Sequence, residues 1–247
     1  MKMCGENFAS YYQNVLKILD EVYESERDKI IHAGCLLADT IERDGLIHVF
    51  GCGHSHMVSE ELFYRAGGLA AIDPLFEQST MLHDGAYKSS HIERMAGYAS
   101  DMVGRYPIQE GDTFIVTSSS GINSFPIEAA DAARKCGATV IGITSSAYDQ
   151  EPSRDHQGRH LKDVCDLWID NHVPHGDAVI SLYGETKAGP VSSISGFFIA
   201  NSMVLEACEE LQRRGIEPGV FASGNVTGGE LRNTALIQKY IHRVKHL

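Results

Sequence analysis

The chain has no surplus of positive charge. Its 247 residues carry 21 Lys and Arg against 33 Asp and Glu, a formal charge of −12 at neutral pH. Basic patches are what draw proteins to nucleic acid and to anionic membranes, so neither is an expected partner. An anionic ligand would have to be captured locally, by loops and helix ends. No helix-turn-helix or appended basic domain is visible, which argues against a transcriptional regulator in a single chain. No Cys-x-x-Cys pair occurs; Cys4, Cys35, Cys52, Cys136, Cys165 and Cys208 are scattered, as expected of thiols in a reducing cytoplasm. No apolar run reaches membrane-spanning length and no signal peptide is read, so the expected location is cytoplasmic. Internal repeats and low-complexity segments are also missing. What remains is a chain that is 43% hydrophobic, long enough for one large α/β domain with added arms.

That domain is organised around Thr113 to Gly142. Phe114, Ile115 and Val116 read as a buried strand, and Ser118-Ser119-Ser120-Gly121 as a turn. A helix follows from Asn123 or Ser124 to Gly137, and a second strand runs through Thr139, Val140 and Ile141. A turn leaving a parallel strand aims backbone N–H groups outward where a helix N-terminus adds its positive dipole end. Three hydroxyls and an amide, with no acidic side chain, make this turn suitable for a phosphate. Ser, Gly and Asn also dominate ordinary polar turns, so the stretch needs company elsewhere.

The company is Leu46 to Phe50, another buried strand, followed by Gly51-Cys52-Gly53-His54-Ser55-His56 and a helix from about Met57 to Ala66. The dinucleotide fingerprint G-x-G-x-x-G is not met, because His56 stands at its third glycine. Together the two loops resemble the phosphosugar loops of the sugar isomerase (SIS) domain, Gly-x-Gly-x-Ser and Ser-x-Ser-Gly-x-Thr, with Asn123 in place of the usual Thr. The chain is similar to uncharacterised members near the N-acetylmuramic acid 6-phosphate etherase and glucokinase regulatory protein branch. The resemblance covers roughly residues 36–220. It implies that phosphosugar is bound by Gly53, His54, Ser55, Ser118, Ser119, Ser120 and Asn123. It also implies sites at subunit interfaces, hence a homodimer or homotetramer.

The remaining elements fit an α/β chain. Residues 7–43 carry an apolar stripe from Phe8 to Ile41, interrupted at Glu24–Lys29, and read as two helices joined by a bend. A short strand at Leu69–Ile72 precedes a long irregular segment, Asp73–His91, which looks built to cover a site. Ile92–Tyr106 reads as helix, Ser145–Lys162 as a surface excursion, and Val164–Ile169 as the fifth strand. A short strand at Ala178–Leu182 follows, then a long helix opened by Pro190, and a final helix from Glu230. Alternating strands and helices give an α/β, doubly wound, five-stranded parallel sheet. The resemblance implies the flavodoxin-like order 2-1-3-4-5. The expected organisation is a helical arm over 1–35, an SIS domain over 36–220, and a turn and helix over 221–247 packed on it.

Isomerising a sugar phosphate needs a base for the carbon-bound proton and an acid at the carbonyl oxygen. Glu60, Glu61, Glu93 and His83 are the candidates. Relative to the sedoheptulose 7-phosphate isomerase branch, Glu61 falls where a functional histidine is placed and Arg65 where the catalytic glutamate stands. Glu93 resembles a functional glutamate of the etherase branch in its distance from the second loop. His54/His56 and His172/His175 invite a metal, but neither spacing fixes a third ligand, so no metal or cofactor is expected. The sequence therefore reads as a phosphosugar isomerase. A non-catalytic sugar-phosphate-binding regulator and a sugar-phosphate lyase or etherase are the alternatives.

Overall fold

In the computed structural model, residues 5–247 are described, so Cys4 lies outside them. The helices and strands run α1 (Glu6–Glu42), β1 (Ile47–Gly51), α2 (Met57–Leu62), β2 (Ile72–Pro74), α3 (Ala86–Ile92), α4 (Ala99–Val103), β3 (Thr113–Thr117), α5 (Ser124–Lys135), β4 (Thr139–Thr144), β5 (Leu167–Asp170), β6 (Ala178–Tyr183), β7 (Thr186–Pro190), α6 (Ser192–Arg213) and α7 (Gly229–Tyr240). Short 3₁₀ turns fill several of the connections.

Five parallel strands pair in the order β2-β1-β3-β4-β5, the order implied by the resemblance. Because side chains alternate along a strand, the three central strands β1, β3 and β4 feed two cores. Val49, Ile115 and Ile143 meet Leu37 of α1, Val58 of α2 and Ile199 and Met203 of α6 on one face. Phe50, Phe114 and Val116 meet Met102 of α4 and Phe125 and Ile127 of α5 on the other. Strands buried on both faces are why their sequences are continuous apolar runs.

The N-terminal region differs from expectation. There is one 37-residue helix and no bend at Glu24–Lys29. The charges do not break α1, because Glu26 is a buried anchor: its Oε2 accepts Asp170 N at 3.0 Å and Lys29 Nζ at 2.8 Å. α1 lies against α6 at closest approach around Gly34, where a Cβ would meet Glu206 Cβ and sit 2.9 Å from Ala207 N. Gly34→Ala is therefore expected to destabilise the fold by about 1–3 kcal/mol through overpacking. Urea unfolding checks it, and a loss below 0.5 kcal/mol would mean that α1 shifts freely on α6.

Further boundaries moved, among them that of β2, expected at Leu69–Ile72 and observed at Ile72–Pro74. Of the helix read over 92–106 only α4 forms, while α3 lies almost wholly in the segment 73–91 read as irregular; the two are separated at Gly97, which has φ 87° and donates its N–H to Glu128 Oε2. The strand read at 178–182 is one arm of an antiparallel hairpin with β7. Pro190 ends β7 instead of opening α6; Asp177 caps that helix, its Oδ1 accepting Val191 N and Ser192 N. At the C-terminus, Phe221, Tyr240 and Val244 pack on Leu46, Ala70 and Ala71. No described helix is long and apolar enough to cross a membrane.

Candidate functional site

β1 and β3 are neighbours in register, with Gly51 opposite Thr117. Since β1 is followed in the sheet by β2 on one side and β3 on the other, their carboxyl ends flank the switch in strand order, where ligands bind in such sheets. Both loops expected from the sequence spring from this point, one strand spacing of about 4.8 Å apart.

The first loop turns back over its own strand. A Cβ on Gly51 would come within 2.5 Å of Ser55 C and O, so only glycine permits the fold-back. Gly53 (φ 57°) starts a 3₁₀ turn, Gly53–His56, that leads into α2. Ser55 is half-buried and His54 points to solvent. His56 is buried, donates Nδ1–H to Gly53 O, and faces Glu60 Oε1 with Nε2 at 3.3 Å. His83, exposed in the covering segment, brings its ring edge-on to His56 at 6.0 Å. It is thus His56, not His54, that meets His83.

In the second loop, bonds the serines accept set their orientation. Ser118 Oγ accepts Gly121 N at 3.3 Å, and Ser119 Oγ accepts Asn171 Nδ2 at 3.2 Å. A hydroxyl that accepts keeps its own proton to donate. Ser120 is half-buried beside them. Below, at the end of β3, the buried hydroxyl of Thr117 has no partner among the described residues, a condition that costs about 1–3 kcal/mol unless a water or ligand meets it.

Asn123 occupies the N-cap of α5, yet its side chain does not cap the helix. Its Nδ2 donates to Glu93 Oε1 at 2.8 Å, and its Oδ1 accepts Arg154 Nη1 at 2.5 Å. Glu93 is tied a second time, its carbonyl accepting Phe125 N at 3.1 Å. Burial raises the Glu93 pKa above the usual glutamate value, outweighing the opposing bond from Asn123. Cys52, buried in the first loop, has its thiol pushed far up by burial and then by the charge of Glu93. It is no nucleophile at neutral pH. Glu93 thus touches the second loop and bears electrostatically on the first.

The other candidates lie apart. Glu60 is half exposed at the mouth. Glu61 is held between α2 and α6, accepting Asn201 Nδ2 at 2.9 Å and pairing with Arg65. His172 and His175 part company, one to Ser25 Oγ and the other to Glu151. Among the described residues, the ligand-type groups close enough to hold a metal are Glu128, Asp155 and His156, and Asp155 is already bound to Arg159. Sequence reasoning missed Arg154, which sits in a stretch read only as a surface excursion, and Asn171. No spacing signal ties either to the loops.

Two open clefts lie off this site. One of about 670 Å³ runs between α1 and α6 at Tyr23, Ile30 and Phe198. Another of about 580 Å³ sits beside α7 at Tyr64, Phe221 and Asn225. Neither is lined by residues of the two loops, and a phosphate needs donors more than volume.

Comparisons with known proteins bear on this arrangement. The SIS domain model matches residues 10–145. A UPF0309 protein of Listeria innocua is 43% identical over 237 residues, covering 95% of this chain and 96% of that protein. Among solved structures, a phosphoheptose isomerase from Francisella tularensis aligns over 84% of this chain and 100% of its own, with TM-score 0.57 and 16% identity. The Vibrio vulnificus NanR protein complexed with ManNAc-6P aligns over 85% of this chain and 66% of its own, with TM-score 0.53 and 17% identity. At these identities the structural likenesses speak for the fold. The family match and the full-length relatives go further: the chain belongs to the SIS domain family, among its UPF0309 relatives.

Proposed function

We propose that the protein binds a phosphorylated sugar at the carboxyl ends of β1 and β3 and isomerises it between aldose and ketose forms. The observation that carries this reading is the register that sets Gly51 beside Thr117, bringing two donor-rich loops to one point. Ser55, Ser118, Ser119 and Ser120 supply hydroxyls to the phosphate. Glu93 takes the proton from the carbon beside the carbonyl, its raised pKa suiting a base that must also give the proton back. His83, with His56 behind it, stands as the acid at the carbonyl oxygen. The working state in this reading is a homodimer or homotetramer in the cytoplasm.

Thermal shift against hexose, heptose, pentose and N-acetylated sugar phosphates tests binding, with the unphosphorylated sugars as controls. The expected outcome is stabilisation by a phosphorylated sugar and not by its parent, reduced about tenfold or more in apparent affinity by Ser55→Ala or Ser120→Ala. Unchanged affinity in both variants would remove the phosphate cup. A second reading, binding without turnover as in a sensor, is favoured by the openness of the site: His54, His83 and Glu60 are all exposed. NMR of the stabilising compound separates the two, since an isomerase converts it to the other carbonyl form and a sensor returns it unchanged.

A further inference from the structure

The N-terminus of α5 is poorer in anion donors than a strand–serine loop–helix pattern suggests. Phe125 N is already committed to Glu93 O, and Pro126 has no N–H to give. Asn123, the residue at the usual Thr position, spends its amide between Glu93 and Arg154. A phosphate here, on a chain of formal charge −12, needs a cation.

Arg154 is built to supply it. The chain between β4 and β5 folds back as a strap over the second loop. Arg154 N donates to Ile122 O at 2.8 Å, Ser124 Oγ donates to Arg154 O at 2.6 Å, and Leu161 N donates to Gly121 O at 2.8 Å. The backbone of Arg154 is therefore pinned on both sides to the loop and the first residue of α5. Its side chain is exposed, and its guanidinium contacts a neutral amide oxygen. Among the described residues it forms no salt bridge; the adjacent carboxylate, Asp155, is taken by Arg159. A guanidinium has five N–H donors in a planar fork, so one bond to Asn123 fixes its orientation and leaves an edge for phosphate oxygens. The Asn amide donates from one atom and accepts at another, whereas a threonine would have to make both bonds from a single hydroxyl oxygen on a shorter side chain.

We propose that Arg154 is the phosphate-binding cation of this site and that Asn123 is its positioning residue, not itself a phosphate ligand. This rests on the reading that the loops hold a phosphorylated sugar. The strap then becomes part of the site, and an exchange of threonine for asparagine is matched by an arginine reached across it.

Calorimetric titration of the full chain with inorganic phosphate tests the proposal at two salt concentrations. Arg154→Gln is expected to weaken binding about tenfold and flatten its salt dependence, with the melting temperature unchanged. Arg154→Lys should restore part of the affinity, since charge returns without the fork. Asn123→Thr should weaken phosphate binding in the parent but add nothing in the Arg154→Gln background, because it acts through Arg154. If Arg154→Gln binds within twofold of the parent while Ser120→Ala does not, the inference fails and the loop reading stands. Additive losses in the double variant would return Asn123 to the role of ligand. A parent that binds no phosphate at millimolar concentration sinks both.

Discussion

Replacing Glu93 by Gln is expected to lower kcat/KM of the proposed isomerisation by about 10²- to 10⁴-fold, the usual contribution of a positioned base. Binding of the sugar phosphate should change little. The glutamine oxygen can still accept Asn123 Nδ2, and the bond from Phe125 N goes to the backbone carbonyl, which the substitution does not touch. The pH dependence gives a sharper signature. The carboxylate must be ionised to take a proton, so activity rises as pH passes through the Glu93 pKa. Burial raises that pKa above the ordinary 4.5, so the acid limb of kcat/KM should lie above 4.5 in the parent and vanish in the variant. Steady-state kinetics from pH 4 to 8 decide this. An intact acid limb in Glu93→Gln would exonerate Glu93 and turn attention to Glu60 at the mouth. Glu61→Gln is the useful contrast, because Glu61 is engaged with Asn201 and Arg65 on the α2–α6 contact. Its loss should affect stability more than the pH profile.

The parts of this site that could be read from sequence are those encoded locally. A buried parallel strand, a glycine or serine turn and a helix start lie within about a dozen residues, so both loops and the strands beneath them were legible. What was missed is encoded at a distance. The charge run Glu24–Lys29 looked like a break because Glu26 finds its backbone partner 144 positions away, at Asp170. Arg154 looked like surface because Asn123, its partner, is 31 positions back and across a strap. The hairpin strand β7 carries Thr, Lys, Gly and Pro with no apolar alternation, since most of it faces solvent. In each case composition described the residue correctly and only the partner was missing.

The same limit hid a buried charge network in the fold. His48 was read as one residue of an apolar strand, but its side chain is fully buried between two carboxylates. Nδ1 lies 2.9 Å from Asp73 Oδ2, and Nε2 lies 3.2 Å from Asp112 Oδ2. With both aspartates ionised, both contacts are hydrogen bonds only if both ring nitrogens carry protons, that is, if His48 is an imidazolium. Burial opposes that charge, and the bonds to Asp112 and Asp73 outweigh it, leaving the His48 pKa above its ordinary 6.5. Asp112 moves the other way. Burial raises it, but hydrogen bonds from His48, Leu46 N and Gln109 N bring it below 3.8. A raised histidine stabilises fully below pH 6.5 and loses its contribution as pH climbs through the folded-state pKa. A depressed aspartate stabilises above pH 3.8 and loses its contribution as pH falls through its own. The network is therefore complete between those limits. The melting temperature of the parent should decline on the alkaline side of 6.5.

His48→Leu should cost about 3–5 kcal/mol, because it strands two buried carboxylates facing one another. For a chain of this size that is a fall in melting temperature of about 10 °C, with the alkaline decline removed. Asp73 Oδ1 also accepts Lys245 N, so the loss should loosen the C-terminal segment together with β1 and β2. His48 sits three residues before Gly51, on the strand and not in the loop, so phosphate affinity measured well below the melting temperature should survive. A flat melting temperature from pH 5.5 to 8.5, with His48→Leu unfolding within 2 °C of the parent, would mean a neutral imidazole. One of the two aspartates would then have to be protonated.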